Sequence, residues 1–253
     1  MVEKPVYSTW IRKSRIVIFW CMSIVILTSS FSGFLYRPLF FLGFFSIPFL
    51  YIAFIISLTS YQLSSIGGDF QNKIHQIVIS NCPLIENVLD IGCGNAHLII
   101  KYAEKYPNGH YTGIDYWGDN WEYSQVQCQK NAKIENVENV AFYKASASEL
   151  PFADNDFTNV ISCLTFHEVK DVDDKMKAII EALRVLKPKG KFAFFDLFND
   201  KKYFESMQHI VKEMKKCGVR SSTYQAVHEI MKLPFPLMDK RSLKYGVLLT
   251  GIK

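Results

Sequence analysis

Acidic side chains are nearly absent from the first 68 residues of this 253-residue chain, where Glu3 stands alone against Lys4, Arg12, Lys13, Arg15 and Arg37. The remainder holds 24 basic and 23 acidic residues, so most of the formal net charge of +5 belongs to the N-terminal stretch. A nearly neutral body lacks the basic face that nucleic acid demands, and no nucleic-acid partner is expected. Any C-x-x-C pair is also missing: the six cysteines lie at positions 21, 82, 93, 128, 163 and 217. That scatter argues against a zinc site or a dithiol redox pair, and no metal site is expected. A chain long enough to build a core needs no disulfide framework, so the cysteines are expected to be reduced thiols, most of them core fillers. Low-complexity runs are few and 49% of the residues are hydrophobic, which excludes a disordered chain.

Charge is wholly absent from Ile16 to Tyr36, a run of 21 residues, and again from Pro38 to Gly68. At about 1.5 Å per residue each apolar stretch reaches about 30 Å as a helix, the thickness of a bilayer's hydrocarbon core. Neither shows the polar face that a soluble surface helix carries at 3.6-residue spacing. Trp10, Tyr36 and Tyr61 lie toward the ends, as interfacial aromatics do, whereas Trp20 and Tyr51 sit deeper. A signal peptide with Ser29–Gly33 as its cleavage region is one alternative, but it leaves the second stretch unexplained. A shallow re-entrant hairpin is another. The preferred reading of residues 1–68 is a membrane anchor of two transmembrane helices, about 16–36 and 38–60, turning at Tyr36-Arg37-Pro38. Four basic residues before the first helix place the N-terminus in the cytoplasm. Two crossings return the chain there, so residues 69–253 are expected to form a cytoplasmic domain after the linker Ser64–Gly68.

From about residue 70 short apolar runs alternate with helical stretches. Strands are expected at Asn87–Ile91, His110–Asp115, Val140–Lys144, Phe157–Ser162 and Gly190–Leu197, with two more β segments at Ser222–Ile230 and Tyr245–Ile252. Helices are expected at Ala96–Lys105, Asn120–Lys133, Val172–Leu186 and about Lys201–Cys217, the last closed by Gly218. Strands separated by helices of this length pair in parallel through right-handed crossovers. The fold class is therefore α/β with a doubly wound sheet, preceded by a transmembrane helical hairpin. Such sheets bind ligands at the carboxyl ends of their strands.

The sharpest local signal is Val88-Leu89-Asp90-Ile91-Gly92-Cys93-Gly94-Asn95, between the first strand and its helix. Glycine there permits a tight turn and a close ligand. In a dinucleotide fingerprint a third glycine would stand at His97, and an acid at Asp90 would repel a pyrophosphate. A carboxylate suits a ligand that carries an ammonium and a sulfonium and no phosphate, namely S-adenosyl-L-methionine.

Residues 86–197 resemble a class I S-adenosylmethionine-dependent methyltransferase of the small-molecule type, with a Rossmann-like sheet. Five motifs occur in the expected order. VLDIGCGNA at 88–96 corresponds to the loop and acid that bind the methionine part. Tyr111-Thr112-Gly113-Ile114-Asp115 ends the second strand on a carboxylate able to accept both ribose hydroxyls. Ala145–Phe152 with Asp154–Phe157 resembles the segment near the adenine. Cys163–Val169 follows the fourth strand, and Arg184–Lys191 leads into the fifth. The resemblance implies Asp90, Gly92, Cys93, Gly94, Asp115, Tyr116, Ser146, Ala147 and Cys163 as cofactor-binding residues. Many relatives have Asp at the position of Ser146, where it accepts a hydrogen bond from the adenine amino group. Thr158 and Lys189 also depart from a frequent Asp and a frequent Gly.

Methyl transfer needs alignment and exclusion of water above all, and a general base only for a weakly acidic nucleophile. His167 and Glu168 are the candidates for that base, His167 because imidazole ionises near neutrality. Each also has a plain structural alternative, as a strand-end hydrogen bonder or a helix start. Trp117, Trp121 and Tyr123 either wall the adenine or pack the next helix onto the sheet. Lys212, Lys215 and Lys216 read as a solvated helix face, with contact to anionic lipid as the minor alternative. The apolar, proline-broken Met231–Met238 either flanks the acceptor or is a buried loop. A short tether to the bilayer favours a hydrophobic acceptor such as a lipid, quinone or isoprenoid over a soluble metabolite. Two rivals remain: a membrane-tethered binding or scaffold protein with an inactive methyltransferase fold, supported by Ser146, and a nicotinamide-dependent oxidoreductase, opposed by Asp90 and His97.

Overall fold

The computed structural model describes residues 3–34, 37, 41–83, 85–118 and 121–253. Residues 8–72 form one compact unit, and residues 73–253 form the other together with the residues before Ser8.

The smaller unit is built on two helices, α1 (Lys13–Ser30) and α2 (Leu42–Leu63). Helix α1 stops short of the expected residue 36 and gives way to a 3-10 turn at Phe31–Phe34, where Ser and Gly replace the bulky apolar residues. Helix α2 begins later than residue 38 and runs beyond residue 60, to the extended Ser64. Tyr36 and Pro38 of the expected turn lie outside the described residues. Burial here is inverted relative to a soluble protein. Ser23, Ser30, Ser46, Ala53 and Thr59 are buried, while Val17, Ile18, Phe44, Phe45, Ile47 and Phe54 are exposed. The buried hydroxyls donate to carbonyls of their own helix: Ser23 to Phe19 at 2.7 Å, Ser46 to Gly43 at 2.6 Å and Thr59 to Ile55 at 2.7 Å. Small residues let the two backbones approach, and local bonding satisfies these buried hydroxyls without water.

The larger unit contains most of α3 (Phe70–Asn81), a helix with no counterpart among the sequence-based elements, whose Ile74, Val78 and Ile79 are fully buried. There follow β1 (Asn87–Ile91), α4 (His97–Lys105), β2 (His110–Asp115), α5 (Gln125–Ile134), β3 (Val140–Lys144) and β4 (Phe157–Cys163). Next come α6 (Met176–Val185), β5 (Leu186–Asp196), α7 (Met207–Lys216), β6 (Ser221–Ala226), the short α8 (Val227–Ile230) and β7 (Val247–Ile252). The sheet order is β3-β2-β1-β4-β5-β7-β6. Strands β1 to β5 are parallel, and β7 runs antiparallel to both β5 and β6. Strand β4 is buried along its whole length, as a central parallel strand covered on both faces must be.

Several helices start later than hydrophobic periodicity suggests, because a side chain caps them. Ser124 Oγ accepts from Gln127 N at 3.1 Å and starts α5 at Gln125 instead of Asn120. Ser206 Oγ accepts from His209 N at 3.1 Å and starts α7 at Met207 instead of Lys201. The β segment expected at 222–230 ends at Ala226, whose N–H donates to Glu229 Oε2 at 3.0 Å and opens α8. The chain passes from β1 outward to β2 and β3, then returns to the other side of β1 at β4. Adjacent loops diverge at such a reversal and leave a crevice at the carboxyl ends of the strands.

Candidate active site

The loop after β1 turns on Gly92 (φ +76°) and Gly94 (φ +58°). A Cβ on Gly92 would lie 2.0 Å from Thr165 Oγ1, so no other residue fits. The amides of Gly92 and Cys93 donate to Ile114 O at 2.8 and 2.9 Å, which fastens the loop to β2. Asp115 completes the attachment. Its Oδ2 accepts from Gly94 N at 2.9 Å and its Oδ1 from Trp117 N at 2.8 Å. The carbonyl of Gly94 receives Trp117 Nε1 at 2.8 Å and Cys128 Sγ at 3.1 Å. Burial raises the Asp115 pKa above the usual carboxylate range, and the amides of Trp117, Gly94 and Tyr116 offset part of that rise.

Asp90 lies beneath this loop and is 1% exposed. Neither of its carboxylate oxygens has a hydrogen-bond partner among the described residues. Burial pushes its pKa well up and the nearby Asp115 adds to the effect, while the Ile99 amide, outside hydrogen-bond geometry, offsets only a part. An orphaned carboxylate of this kind is costly in the free protein, and a cationic ligand would relieve it.

Beyond β3, Ser146 and Ser148 both donate to Asp171 Oδ2 at 2.6 Å, and their hydroxyls lie 2.9 Å apart. Partial burial works against ionisation of Asp171, but these hydroxyls hold its pKa below the usual range. A carboxylate thus stands beside Ser146, delivered from a segment 25 residues further along the chain.

At the ends of β4 and β5, His167 Nδ1 lies 2.5 Å from Asp196 Oδ1. Asp196 is fully buried, and its oxygens also accept Phe166 N and Leu197 N, each at 2.7 Å. The second imidazole nitrogen, Nε2, lies 3.7 Å from Glu168 Oε1. Burial would lower the His167 pKa, but the charge and hydrogen bond of Asp196, with Glu168 and Asp200, outweigh it and the net shift is upward.

The structure therefore brings Asp90, Gly92, Gly94 and Asp115 together around one loop, and sets His167 at the neighbouring strand end. Cys93 and Cys163 are buried, with burial raising both thiol pKa values, and Ala147 lies in the hydrophobic core. Tyr116 is 65% exposed, with Lys144 Nζ 5.5 Å from its ring centroid. Glu168 is largely exposed and occupies a 3-10 turn, Phe166–Glu168. Trp117 neither packs a helix nor stands free: its indole holds Gly94. Trp121 and Tyr123 stack on each other, centroids 5.3 Å apart, ahead of α5 and not on it. In the proline-broken loop Leu233 and Leu237 are buried and Phe235 is exposed. Asp196 and Asp171 escape sequence reasoning. The only signal for Asp196 is an acid at the end of the run Phe192–Phe195, and Asp171 has none, since only folding brings it to Ser146.

Residues 85–236, more than half of the chain, match the family described as "Methyltransferase domain". The chain belongs to this methyltransferase-domain family. Within the matched range lie Asp90, the glycine loop, Asp115, Ser146, His167 and Asp196. The methyltransferase domain is 40% identical over 111 residues to a demethylmenaquinone methyltransferase of Listeria welshimeri, covering 44% of either chain. It is 31% identical over 165 residues to a ubiquinone/menaquinone biosynthesis C-methyltransferase of Rickettsia bellii, covering 62% of this chain and 65% of that one. The matches thus span less than two thirds of these curated relatives. A SAM-dependent methyltransferase from Aquifex aeolicus shares the fold, with a TM-score of 0.52 at 18% identity, over 70% of this chain and 88% of that one.

Proposed function

We propose that the chain is a membrane-anchored enzyme that transfers the methyl group of S-adenosylmethionine to a hydrophobic acceptor of the quinone type. The observation that carries the cofactor assignment is Asp90, a buried carboxylate without a hydrogen-bond partner among the described residues, beneath a glycine loop. Its charge suits the ammonium of the methionine part, and the bare backbone at Gly92 and Gly94 admits the ligand. Asp115 retains acceptor capacity for ribose hydroxyls beyond its two loop amides. Asp171 and Ser146 would offer an acceptor for the adenine amino group, which weighs against an inactive scaffold. When bound, S-adenosylmethionine supplies a methyl group activated by a sulfonium.

The chain's own part is to align the acceptor and to move one proton. With the Nδ1 proton donated to Asp196, His167 Nε2 keeps its lone pair and takes the proton of an acceptor hydroxyl. Asp196 orients the ring and favours the imidazolium that results. Glu168 is too exposed for the same task and stands beside His167 as a second carboxylate. The quinone class is supported by the names of the relatives from Listeria and Rickettsia. The membrane reading is supported by two apolar helical spans of 22 residues each, with only 11% and 17% of their most apolar windows buried. A cytoplasmic position for the domain is supported by Lys4, Arg12, Lys13 and Arg15 ahead of the first span.

The test uses full-length protein in lipid nanodiscs with labelled S-adenosylmethionine. Offered a demethylated quinone extract and a pool of water-soluble metabolites, the enzyme is expected to label the quinone. Efficient labelling of soluble molecules alone overturns the acceptor class, and no labelling with intact cofactor binding overturns the enzymatic reading.

A further inference from the structure

Five residues ahead of α1 pack on the larger unit at the back of the glycine loop. Val6 N donates to Asn131 Oδ1 at 2.8 Å, and Asn131 Nδ2 donates to Val6 O at 2.9 Å. The same Nδ2 donates its other hydrogen to Asn95 O at 2.9 Å, and Gln127 Nε2 gives Oδ1 a second bond at 2.8 Å. Asn131 is fully buried, and these four bonds use both of its hydrogens and both lone pairs of its oxygen. It is a rivet between the N-terminal segment and the last residues of the loop. Tyr7 continues the attachment: its ring stacks on His97, centroids 4.2 Å apart, and its hydroxyl donates to Glu135 at 3.2 Å. Glu3 pairs with Lys130 at 2.5 Å.

His97 occupies the position where a dinucleotide fingerprint has its third glycine, at the first turn of α4. Its ring also meets His75 of α3 in a T-shaped arrangement, centroids 4.8 Å apart. The chain leaves this unit after Tyr7 and re-enters it at Lys73, two residues before His75. Without the strap, a fully buried carboxamide would lose two of its four hydrogen bonds, a cost that favours rotation or entry of water. Either response releases the Asn95 carbonyl and loosens the loop.

We propose that residues 3–7 are positioning residues for the cofactor: through Asn131 and His97 they hold the glycine loop in its binding geometry. The inference rests on the glycine loop being the S-adenosylmethionine site, and the experiment separates the two. Full-length protein in nanodiscs is titrated calorimetrically with S-adenosylmethionine. Val6→Pro removes the N–H that Asn131 accepts, and Tyr7→Ala removes the ring from His97. Each is expected to weaken binding about five- to tenfold and to speed hydrogen exchange at the amides of residues 92–97. Tyr7→Phe keeps the ring and is expected to restore affinity to within about twofold of wild type. Val6→Pro and Tyr7→Ala with wild-type affinity and exchange overturn the proposal. Gly94→Val, at a backbone φ of +58°, supplies the second arm. If it binds the cofactor normally, the loop assignment itself falls. If it abolishes binding while the strap variants bind like wild type, only the role of the strap is overturned. Tyr7→Ala alters one side chain and no backbone group, so it remains decisive if Val6→Pro fails to fold.

Discussion

Asp115 Oδ2 accepts the amide of Gly94 at 2.9 Å, across 21 residues of sequence. The acid at the end of β2 therefore shapes the loop after β1 before any ribose arrives. Asp115→Ala is expected to weaken S-adenosylmethionine binding more than tenfold, since it removes loop support along with the ribose contacts. Asp115→Asn is expected to do nearly the same, because an amide NH2 facing either backbone N–H cannot accept it. Calorimetric titration measures the affinity, and hydrogen exchange at Gly94 checks the loop. A normal affinity in folded Asp115→Ala contradicts the assignment.

Asp90 presents the opposite case, a carboxylate that destabilises the free protein. Its folded pKa lies above its unfolded value, so the folded state holds the proton longer. Asp90's own contribution to the stability of the cofactor-free protein is then greatest below the unfolded pKa, near 3.9, and falls as pH rises toward the folded pKa. Asp90→Asn lacks this fall. It is expected to be at least as stable as wild type at pH 7 in denaturant titrations, while binding the cofactor at least about tenfold more weakly.

The His167–Asp196 pair makes activity and stability respond to pH in opposite directions. If neutral His167 is the base, as proposed, kcat/KM should rise with pH through an apparent pKa above the usual imidazole value near 6.5. The stabilisation from charged His167 is present in full below the unfolded pKa and is lost as pH rises through the raised folded pKa. Asp196→Asn should move the rate profile to lower pH, and His167→Ala should reduce turnover by about 10²–10⁴-fold. A rate profile unchanged in Asp196→Asn removes His167 from the chemistry.

Asp171 is expected to read the adenine edge. Wild-type protein should prefer S-adenosylhomocysteine to its inosyl analogue, whose ring carries an acceptor in place of the amino donor. Asp171→Asn, with an amide that serves either partner, should reduce that preference by about tenfold, as competition binding would show. An unaltered preference would place adenine recognition elsewhere.

For the apolar hairpin, a Cys21→Ser/Arg37→Cys variant tests orientation. Arg37→Cys should react with an impermeant maleimide added to intact cells, whereas a C-terminal tag should stay shielded from a protease outside. The reverse pattern inverts the topology.

Strands β1, β2 and β3 are legible to the residue, because each is a short run rich in apolar and aromatic side chains that follows Glu86, Gly109 or Asn139, even though β3, at the sheet edge, buries only Phe142. Asp90, Gly92, Gly94 and Asp115 are legible for a related reason: they sit at strand ends, where the run itself locates them. Helix starts are less legible, since one hydroxyl at Ser124 or Ser206 overrides the apolar pattern ahead of it. The antiparallel β7 is hidden because periodicity reports burial and not direction. Asp171, Asp196 and the residue 3–7 strap are beyond sequence reading, as each acts through a partner that only the fold brings near.

Tyr7 and His75 rest on the same side chain, His97, although they lie 68 positions apart in sequence. In chain topology the hairpin is thus an insertion between two parts of the larger unit. Insertions are tolerated where their two ends lie close together, and they can be excised at the same place. Cutting at residue 60 would discard the strap with the hairpin and, on the role proposed for the strap, is expected to loosen the glycine loop. Splicing Tyr7 to Lys73 through a few glycines and serines would keep Val6 on Asn131 and Tyr7 on His97, and would yield a water-soluble form for crystallisation with cofactor.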